Sequence, residues 1–510
     1  MEEDRRGKRR RERLPVHPDR AKGFYWQLDT CTEFLIYAIL IFTPWAFGTT
    51  ETWAINTVNM LNYFLGGLLV AKWLMRLAGF KCERWDGSNS SSGWHPYWIT
   101  GPLFALTIGV LGYCALAAWN ARAQFIPQEQ RFEYFDAIGG LPQSYDQARS
   151  WGAFRLYLAA ACFFWALRDW LVTKSPRDLW AEAQHQPLVF VGPELARSGE
   201  DGRHQVRIPT RLKRLCWVVT INAAILAFEG TLQRLSGTRD LLWLVRPMFN
   251  DTAAAQFGPF NYRSNGAQYL NLIWPLALAF WWSLHHHSRS RFGAGAEFIL
   301  LPAIGLILAG PIIASSRGGI AIAAGQILAV MAIFAYAFRR TAWKIGVAAA
   351  ILIVIFGLGI WLQWDFLLAR LNENTLNTMS GRTEIYANAE RIVEDFPVWG
   401  TGPGTFAPVY QLYRADPTQI WYAHAHNDYL QTIITFGRVG FTLIGAMLIA
   451  TGAYWFLARG IRTSVFFVSA LWVALAGCLM HARFDFPFQI YAILLIVLTN
   501  CAILTVLSRR

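Results

Sequence analysis

Two histidines, an asparagine and an aspartate stand directly before a long apolar stretch, in the segment YAHAHNDYLQTIITFGRVGF at residues 422–441. Histidine is the side chain that exchanges protons near neutral pH, so His426 or His424 could act as a general base. A metal site is not predicted, because the H-x-H spacing supplies two ligands and no convincing third stands nearby. The remaining interpretation is a helix start, with Asn427 or Asp428 as its N-cap.

Three arginines lie beside other apolar stretches and could bind an anion. Arg317 stands in IIASSRGGIAIAAG, Arg382 in TMSGRTEIY and Arg263 in FGPFNYRSNGAQYLN. The guanidinium is a planar fork that suits bidentate contacts with phosphate, so several of them together predict an anionic ligand such as a diphosphate. The alternatives are an arginine that extends to the membrane interface, at Arg317, and ordinary exposed loop residues elsewhere.

Two further segments carry residues that could contact a ligand. Asp485, in HARFDFPFQIYA, either pairs with an arginine or orients a substrate sugar, or it caps a helix before Pro487. The segment WGTGPGTF at 399–406 has three glycines but no lysine after them, so it is neither a Walker loop nor a dinucleotide fingerprint. A tight turn is the favoured interpretation of the glycines, with an anion-binding nest of backbone amides as the alternative.

The elements that must position these residues are membrane spans. Of the 510 residues, 54% are hydrophobic and 15% are charged, whereas a soluble domain is nearer a quarter charged. Apolar stretches of the length needed to cross a bilayer recur along the chain. The sequence therefore predicts an all-α polytopic membrane protein with about twelve transmembrane helices. They are predicted at 31–50, 56–79, 97–119, 152–172, 214–234, 266–284, 293–314, 318–338, 342–362, 431–457, 464–481 and 486–507.

The positive residues predict the orientation of these spans. With the N-terminus in the cytoplasm, every lysine falls in a cytoplasmic segment or at a cytoplasmic helix end. Both termini are then cytoplasmic, and the three arginines and two histidines lie on the outer side. The net charge of +13 is distributed between apolar spans in the manner of orientation signals, so nucleic acid is not a predicted partner.

This topology predicts three parts of the chain. They are a basic cytoplasmic tail at 1–30, membrane spans at 31–254 with a cytoplasmic loop at 173–213, and a second membrane region at 255–510 that contains the periplasmic loop 363–430.

The loop 363–430 is long for a connection in a compact protein, and such loops are usually functional. Within it, Ile385, Ala389 and Ile392 recur at helical spacing on one face. This pattern predicts an amphipathic helix that lies against the outer membrane surface and ends at Pro397.

In their order along the chain, the segments SSRGG, SGRTEIYANAERIVEDFPVWGTGPGTF and AHAHNDYLQTIITFGRVGF closely resemble the bacterial O-antigen ligase/polymerase superfamily. That superfamily includes O-antigen ligases, Wzy-type polymerases and protein O-oligosaccharyltransferases. The resemblance extends over residues 255–500, and the N-terminal half is similar only as a set of membrane spans.

The resemblance implies a glycosyltransferase of the bacterial inner membrane whose active site faces the periplasm. Such an enzyme moves a glycan from undecaprenyl diphosphate to an acceptor hydroxyl, without a cofactor. Carried over residue by residue, Arg317 and Arg382 bind the donor diphosphate, and Arg263 is a weaker match because its surroundings depart from the family arrangement. His426 acts as the general base, with His424 as the alternative.

Asn427, Asp428 and Asp485 are the expected supporting residues. Because a diphosphate is already a good leaving group, positive charge at the donor suffices, which favours an inverting displacement that needs no metal.

The favoured acceptor is the lipid A-core, as in an O-antigen ligase. A Wzy-type polymerase of O-antigen or exopolysaccharide and a protein O-oligosaccharyltransferase stay open as alternatives. A lipid-linked glycan flippase or transporter is more distant, because no repeat relates the two halves and the notable polar groups cluster at the outer face rather than at mid-membrane.

Overall fold

The computed structural model describes residues 20–86, 97–183, 208–288, 295–337, 375–415, 421–457, 461–462 and 465–508. Within these ranges the chain is mostly helical, which confirms the predicted helical class. The helices are α1 (Arg20–Trp45), α2 (Thr52–Leu77), α3 (Tyr97–Trp119), α4 (Gln147–Val172), α5 (Pro176–Ala183), α6 (Thr210–Ser236), α7 (Arg263–Asn271), α8 (Trp274–Ser288), α9 (Leu300–Ile313), α10 (Arg317–Ala337), α11 (Thr375–Asp395), α12 (Phe406–Tyr413), α13 (Asp428–Leu457), α14 (Val465–His481) and α15 (Tyr491–Leu504).

Short elements join these helices. One-turn 3-10 helices lie at Phe47–Thr49, Ala296–Ile299 and Pro487–Gln489. Strand β1 (Ala123–Ile126) pairs antiparallel with β2 (Arg131–Tyr134), with Ala123 opposite Tyr134. Strand β3 (Ile461–Arg462) pairs parallel with β4 (Leu507–Ser508).

Seven helices in the described part of the chain are long and apolar enough to cross a membrane, namely α1, α2, α3, α4, α6, α10 and α13. They coincide with seven of the predicted spans. The predicted spans at 293–314, 464–481 and 486–507 correspond to shorter apolar helices, which are Glu297–Ile313, α14 and α15. The described residues therefore contain seven candidate membrane spans, fewer than the twelve that the sequence predicts for the whole chain.

Two predicted spans have another outcome. The span predicted at 342–362 lies outside the described residues. The span predicted at 266–284 is divided between α7 and α8, with a turn at Leu272 and Ile273. The physical reason is the polar sequence RSNGAQYLN of α7, which forms a separate short helix that the rest of the protein buries.

Buried charges tie the helix ends together at one end of the bundle. Arg76 Nη1 lies 2.6 Å from Asp169 Oδ1, and Lys72 Nζ lies 3.3 Å from Asp29 Oδ1. Arg211 Nη2 also contacts Asp29, at 2.5 Å. Because α2 and α4 end here while α1 and α6 begin here, these ion pairs hold four helices in register.

The opposite end of the bundle carries the hairpin of β1 and β2 together with α11 and α12. Helix α11 contains the predicted amphipathic pattern and ends ahead of Pro397, as expected. Its apolar face, formed by Ile385, Ala389 and Ile392, does not lie on the membrane surface. That face packs on α12 around Phe406 and on the start of α13, because α12 offers a matching apolar face of its own.

Glycines fix the loop between α11 and α12 against a kink in α13. Gly437 interrupts α13 with φ of +60°, and Gly400 has φ of +69°. A Cβ on Gly400 would lie 2.5 Å from the amide nitrogen of Gly437, so the two backbones touch only because neither residue has a side chain. The amides of Thr401 and Gly402 donate to α13 carbonyls at 2.8 and 3.0 Å. These amides are therefore used within the fold, as the tight-turn interpretation requires.

Candidate functional site

His426 lies at the junction between the loop and α13, in the left-handed backbone region with φ of +52°. Asn427 accepts hydrogen bonds from the amides of Tyr429 and Leu430 at 3.1 and 3.2 Å, which makes it the N-cap of α13. The hydroxyl of Tyr386, on α11, donates to the His426 carbonyl at 2.8 Å. The backbone of His426 is thus held from both sides, while 30% of its side chain stays exposed.

Asp485 lies in the turn between α14 and α15 and is 4% exposed. Its Oδ1 is 3.5 Å from Nδ1 of His426, and its Oδ2 accepts a hydrogen bond of 2.5 Å from Ser264. Burial opposes the ionisation of Asp485, but the neighbouring His426, His481 and Ser264 side chains outweigh it and hold the pKa of the carboxyl well below its usual range. Asp485 is therefore an anion beside His426 at neutral pH.

His424 has a different environment from His426. Its ring stacks on Phe486 with centroids 4.4 Å apart, and its Nδ1 lies 3.5 Å from the side-chain nitrogen Nε2 of Gln431. Burial, followed by the neighbouring His426, lowers the pKa of His424 to about 4. A ring that gains a proton so reluctantly is a weak base at neutral pH.

A cavity of about 560 Å³ opens beside the start of α13. Two arginines line it, Arg382 from α11 and Arg483 from the turn after α14, together with Tyr386 and Asn427. The Arg382 guanidinium donates to the carbonyl of Phe484 at 3.0 Å. The remaining lining includes an acidic residue, Glu390 of α11, and an apolar side formed by residues such as Leu430, Ile433 and Phe441. The cavity thus combines positive charge with an apolar side along a membrane helix.

Arg317 is exposed at the first position of α10. The next residue, Gly318, packs so closely that an added Cβ would lie 2.6 Å from Phe484 and 3.2 Å from Nε2 of His481. The small residues after Arg317 therefore allow other parts of the protein to approach, and they bring the start of α10 against the turn that contains Asp485.

Arg263 has a partner of its own. Its Nη1 donates to the carbonyl of Ala254 at 2.6 Å, and its amide donates to the carbonyl of Ala255 at 2.8 Å. These contacts fasten the start of α7 to the loop before it. Arg263 therefore makes contacts within the fold, whereas the guanidinium of Arg382 lines the cavity.

Asp428 joins α13 to the turn before α15. Its carboxylate accepts hydrogen bonds from the amide of Phe488 and from the side chain of Gln489, both at 2.8 Å. Its own amide donates to the carbonyl of Ala482 at 2.8 Å. Asp428 therefore fixes the Asp485 turn against the histidine segment.

Three residues of the site did not emerge from the sequence. Ser264 and His481 contact Asp485, and Arg483 lines the cavity with Arg382. Only weak signals were present: Ser264 adjoins Arg263, and His481 and Arg483 share the segment HARFD with Asp485. Their roles depend on contacts between distant parts of the chain.

The fold and this site define a polytopic helical membrane protein with a cluster of arginine, histidine and carboxylate groups at one end of its bundle. A family model described as Wzy_C, O-Antigen ligase, matches residues 302–445. Over these residues the chain is similar to the O-antigen ligase family, which confirms the resemblance to the O-antigen ligase/polymerase superfamily found in the sequence.

The matched residues include Arg317, Arg382 and both histidines, whereas Arg263 and Asp485 lie outside the match. No curated protein matches the chain significantly. Members of the matched family are glycosyltransferase-like ligases or polymerases that use lipid-linked glycans, and the match together with the apolar helices supports a multi-pass protein of the inner membrane.

Proposed function

We propose that this chain transfers a glycan from undecaprenyl diphosphate to an acceptor hydroxyl, and that it is an O-antigen ligase whose acceptor is the lipid A-core. The observation that carries the proposal is the buried anion of Asp485 against His426, beside a cavity lined by Arg382 and Arg483. A carboxylate behind an imidazole stabilises the protonated ring, and guanidinium groups neutralise a diphosphate.

In the proposed reaction the acceptor oxygen attacks the anomeric carbon of the donor sugar from the face opposite the diphosphate. The new C–O bond forms as the bond to the phosphate oxygen breaks, so the configuration inverts and the diphosphate leaves with the electron pair. The acceptor's proton passes to Nε2 of His426, because Nδ1 faces Asp485. Positioned arginines supply the positive charge that a metal ion often supplies in such reactions.

We assign the donor diphosphate to Arg382 and Arg317, and we add Arg483, which sequence reasoning missed. Arg382 and Arg483 line the cavity. Arg317 is the first residue of α10, and the start of this helix packs against the turn that contains Phe484 and Asp485. Arg263 is the weaker ligand, since one guanidinium nitrogen is committed to the Ala254 carbonyl.

The apolar wall of the cavity fits the lipid part of the donor. Leu430, Ile433 and Phe441 belong to α13, a helix long enough to cross the membrane. A prenyl chain that follows this face would place its diphosphate beside the arginines at the helix start, since the diphosphate is joined directly to the chain.

His426 is preferred over His424 as the base. Asp485 lies 3.5 Å from Nδ1 of His426 and can orient its ring toward an acceptor, whereas burial and the neighbouring ring disfavour a proton on His424. We propose that His424 instead packs on Phe486 and helps to hold the ring that both histidines contact.

We propose that the site faces the periplasm and that both termini are cytoplasmic. The lysine distribution supports this orientation. The start of α1 and the strand β4 both lie at the bundle end that is remote from the site, which agrees with it.

A deletion strain distinguishes the acceptors. Loss of polymer on the lipid A-core with accumulation of lipid-linked polymer is the expected result for a ligase. Accumulation of single lipid-linked repeats would identify a polymerase, and loss of glycan from protein would identify a protein O-oligosaccharyltransferase.

Purified protein in liposomes, given a lipid-linked glycan and an acceptor, provides the biochemical test. Formation of the glycosidic bond is expected. Translocation of the lipid-linked glycan without bond formation would overturn the proposal in favour of a flippase.

A further inference from the structure

The carboxylate of Asp485 has a second set of contacts on the side away from His426. Ser264 Oγ lies 2.5 Å from Oδ2 of Asp485 and 3.1 Å from Nε2 of His481, and the His481 ring nitrogen is itself 3.5 Å from the same carboxylate oxygen. Ser264 is 6% exposed and His481 is 1% exposed. The four side chains form a row in the order His426, Asp485, Ser264, His481.

The hydrogen bonds of Ser264 determine which side chains in this row donate and which accept. A hydroxyl has one proton to donate, and the Ser264 proton goes to the charged carboxylate at 2.5 Å. Ser264 Oγ also accepts from Ser316 at 3.3 Å. The contact with His481 therefore requires that the proton of His481 be on Nε2.

The contacts of His481 within this row are made through Nε2. Its Nδ1 is buried and has no hydrogen-bond partner among the described residues. The negative charge of the row lies on Asp485, which Ser264 and His481 approach from the same side.

Three separate elements hold the row together. Ser264 lies in the first turn of α7, which Arg263 fastens to the preceding loop. His481 is the last residue of α14, and Gly318 at the start of α10 lets that ring approach. A buried carboxylate without such donors would become neutral or turn toward another partner.

We propose that Ser264 and His481 are positioning residues for the base of the transfer reaction. They hold one oxygen of Asp485, so that the other oxygen is fixed toward Nδ1 of His426 and keeps Nε2 of His426 free for the acceptor proton. This inference rests on the proposed function, because it assigns a role within that reaction.

The test compares the transfer kinetics of purified variants in liposomes. Ser264→Ala removes one oxygen atom, and His481→Leu removes the ring donor. A positioned base contributes about a hundred- to ten-thousand-fold, so loss of its orientation is expected to lower kcat by about ten-fold or more while KM for the lipid-linked donor changes less than about two-fold. His481→Gln, whose amide can donate from a similar place, is expected to restore most of the lost kcat.

A matched control is available in Ser283→Ala. Ser283 is also a buried serine, but it lies in α8 and donates to the Ala279 carbonyl of its own helix. It is expected to leave kcat unchanged. Size-exclusion profiles and thermal unfolding of each variant confirm that the proteins compared are folded.

Several results would overturn the inference. A wild-type kcat in both Ser264→Ala and His481→Leu would contradict it. A change in KM without a change in kcat would also contradict it, as would a kcat that stays low in His481→Gln. A failure of the proposed function is distinguishable, because then His426→Ala itself would retain transfer. Inactive His426→Ala beside fully active Ser264→Ala would reject the positioning role only.

Discussion

At the scale of single residues, two histidines of one motif differ through their neighbours. His426 faces the buried carboxylate of Asp485, whereas His424 stacks on the ring of Phe486. Two residues of the same type, two positions apart, thus have different environments, and burial lowers the pKa of His424 to about 4. The difference arises from the turn between α14 and α15, which supplies both partners.

We expect His426→Ala to lower glycan transfer by about a hundred-fold or more, the range that a general base contributes. His424→Ala is expected to retain at least a tenth of the activity, because stacking on Phe486 is its main contact. Transfer in isolated membranes with lipid-linked donor measures both. Full activity of His426→Ala with an inactive His424→Ala would reverse the assignment.

Arg382→Lys is expected to lower kcat/KM by about ten-fold or more, because an ammonium group cannot reproduce the planar fork that binds a diphosphate. Arg391→Lys is the matched control, since Arg391 is an exposed residue of the same helix. Donor titrations give the values. An equal effect of the two substitutions would mean that the Arg382 guanidinium has no special contact with the donor.

The lowered pKa of His424 predicts a pH dependence of stability. Between its ordinary pKa of about 6.5 and its folded value of about 4, the unfolded chain binds a proton that the folded chain does not. Stability is therefore expected to fall as the pH drops through this window. Thermal unfolding in detergent should show a shallower fall for His424→Gln, and an unchanged slope would refute the cause.

The candidate site was partly predictable at this scale. Side-chain chemistry made Arg317, Arg382 and the histidines candidates, because such groups beside apolar stretches need a reason, and their roles stay predictions. Ser264 carries no comparable signal, since serine is common and its partner Asp485 lies 221 positions further along the chain. Contacts of that kind are set by packing, which the sequence does not display locally.

At the scale of elements, the kink of α13 and the glycine loop form one unit. The loop backbone fits against the kink only because Gly400 and Gly437 lack side chains. The first half of α13 carries the N-cap and the cavity wall, so the kink sets where these groups stand relative to α11.

Gly400→Ala is expected to destabilise the protein by about 1–3 kcal/mol from backbone strain, with the contact against Gly437 adding to it. Gly139→Ala is the control, because nothing lies within 4 Å of the Cβ position there and its φ is not positive. Detergent unfolding curves compare the two. Equal midpoints would contradict the described packing.

The helical class and most helix positions could be predicted from the sequence, but the elements against which each helix packs could not. The apolar spacing of Ile385, Ala389 and Ile392 predicted a helix correctly, yet that face packs on α12 instead of on lipid. An apolar stripe has the same pattern in both cases. Likewise, hydropathy merged α7 with α8, because it averages over a short polar helix that the bundle buries.

At the scale of the whole molecule, the two ends of the bundle have different chemistry. One end holds the ion pairs of Asp29 and Asp169 with lysine and arginine. The other holds the cavity and the histidine–carboxylate row. This separation supports the proposal that the ends face different compartments.

Cysteine labelling tests that orientation. A membrane-impermeant maleimide applied to intact spheroplasts is expected to modify Glu129→Cys, between β1 and β2, and to modify Lys81→Cys, after α2, only upon lysis. Both positions are exposed, and the unsubstituted protein with its seven free cysteines is the background control. The reverse pattern would place the site in the cytoplasm.

The left-handed backbone of His426 has a consequence for how this position tolerates change. A side chain other than glycine costs about 1–3 kcal/mol in that region of backbone space. Glycine would relieve the strain but would lose the contacts of the imidazole ring with Asp485 and Phe486. Selection for heat resistance alone would therefore weigh backbone strain against these contacts, whereas selection for glycan transfer would retain the histidine whatever the strain.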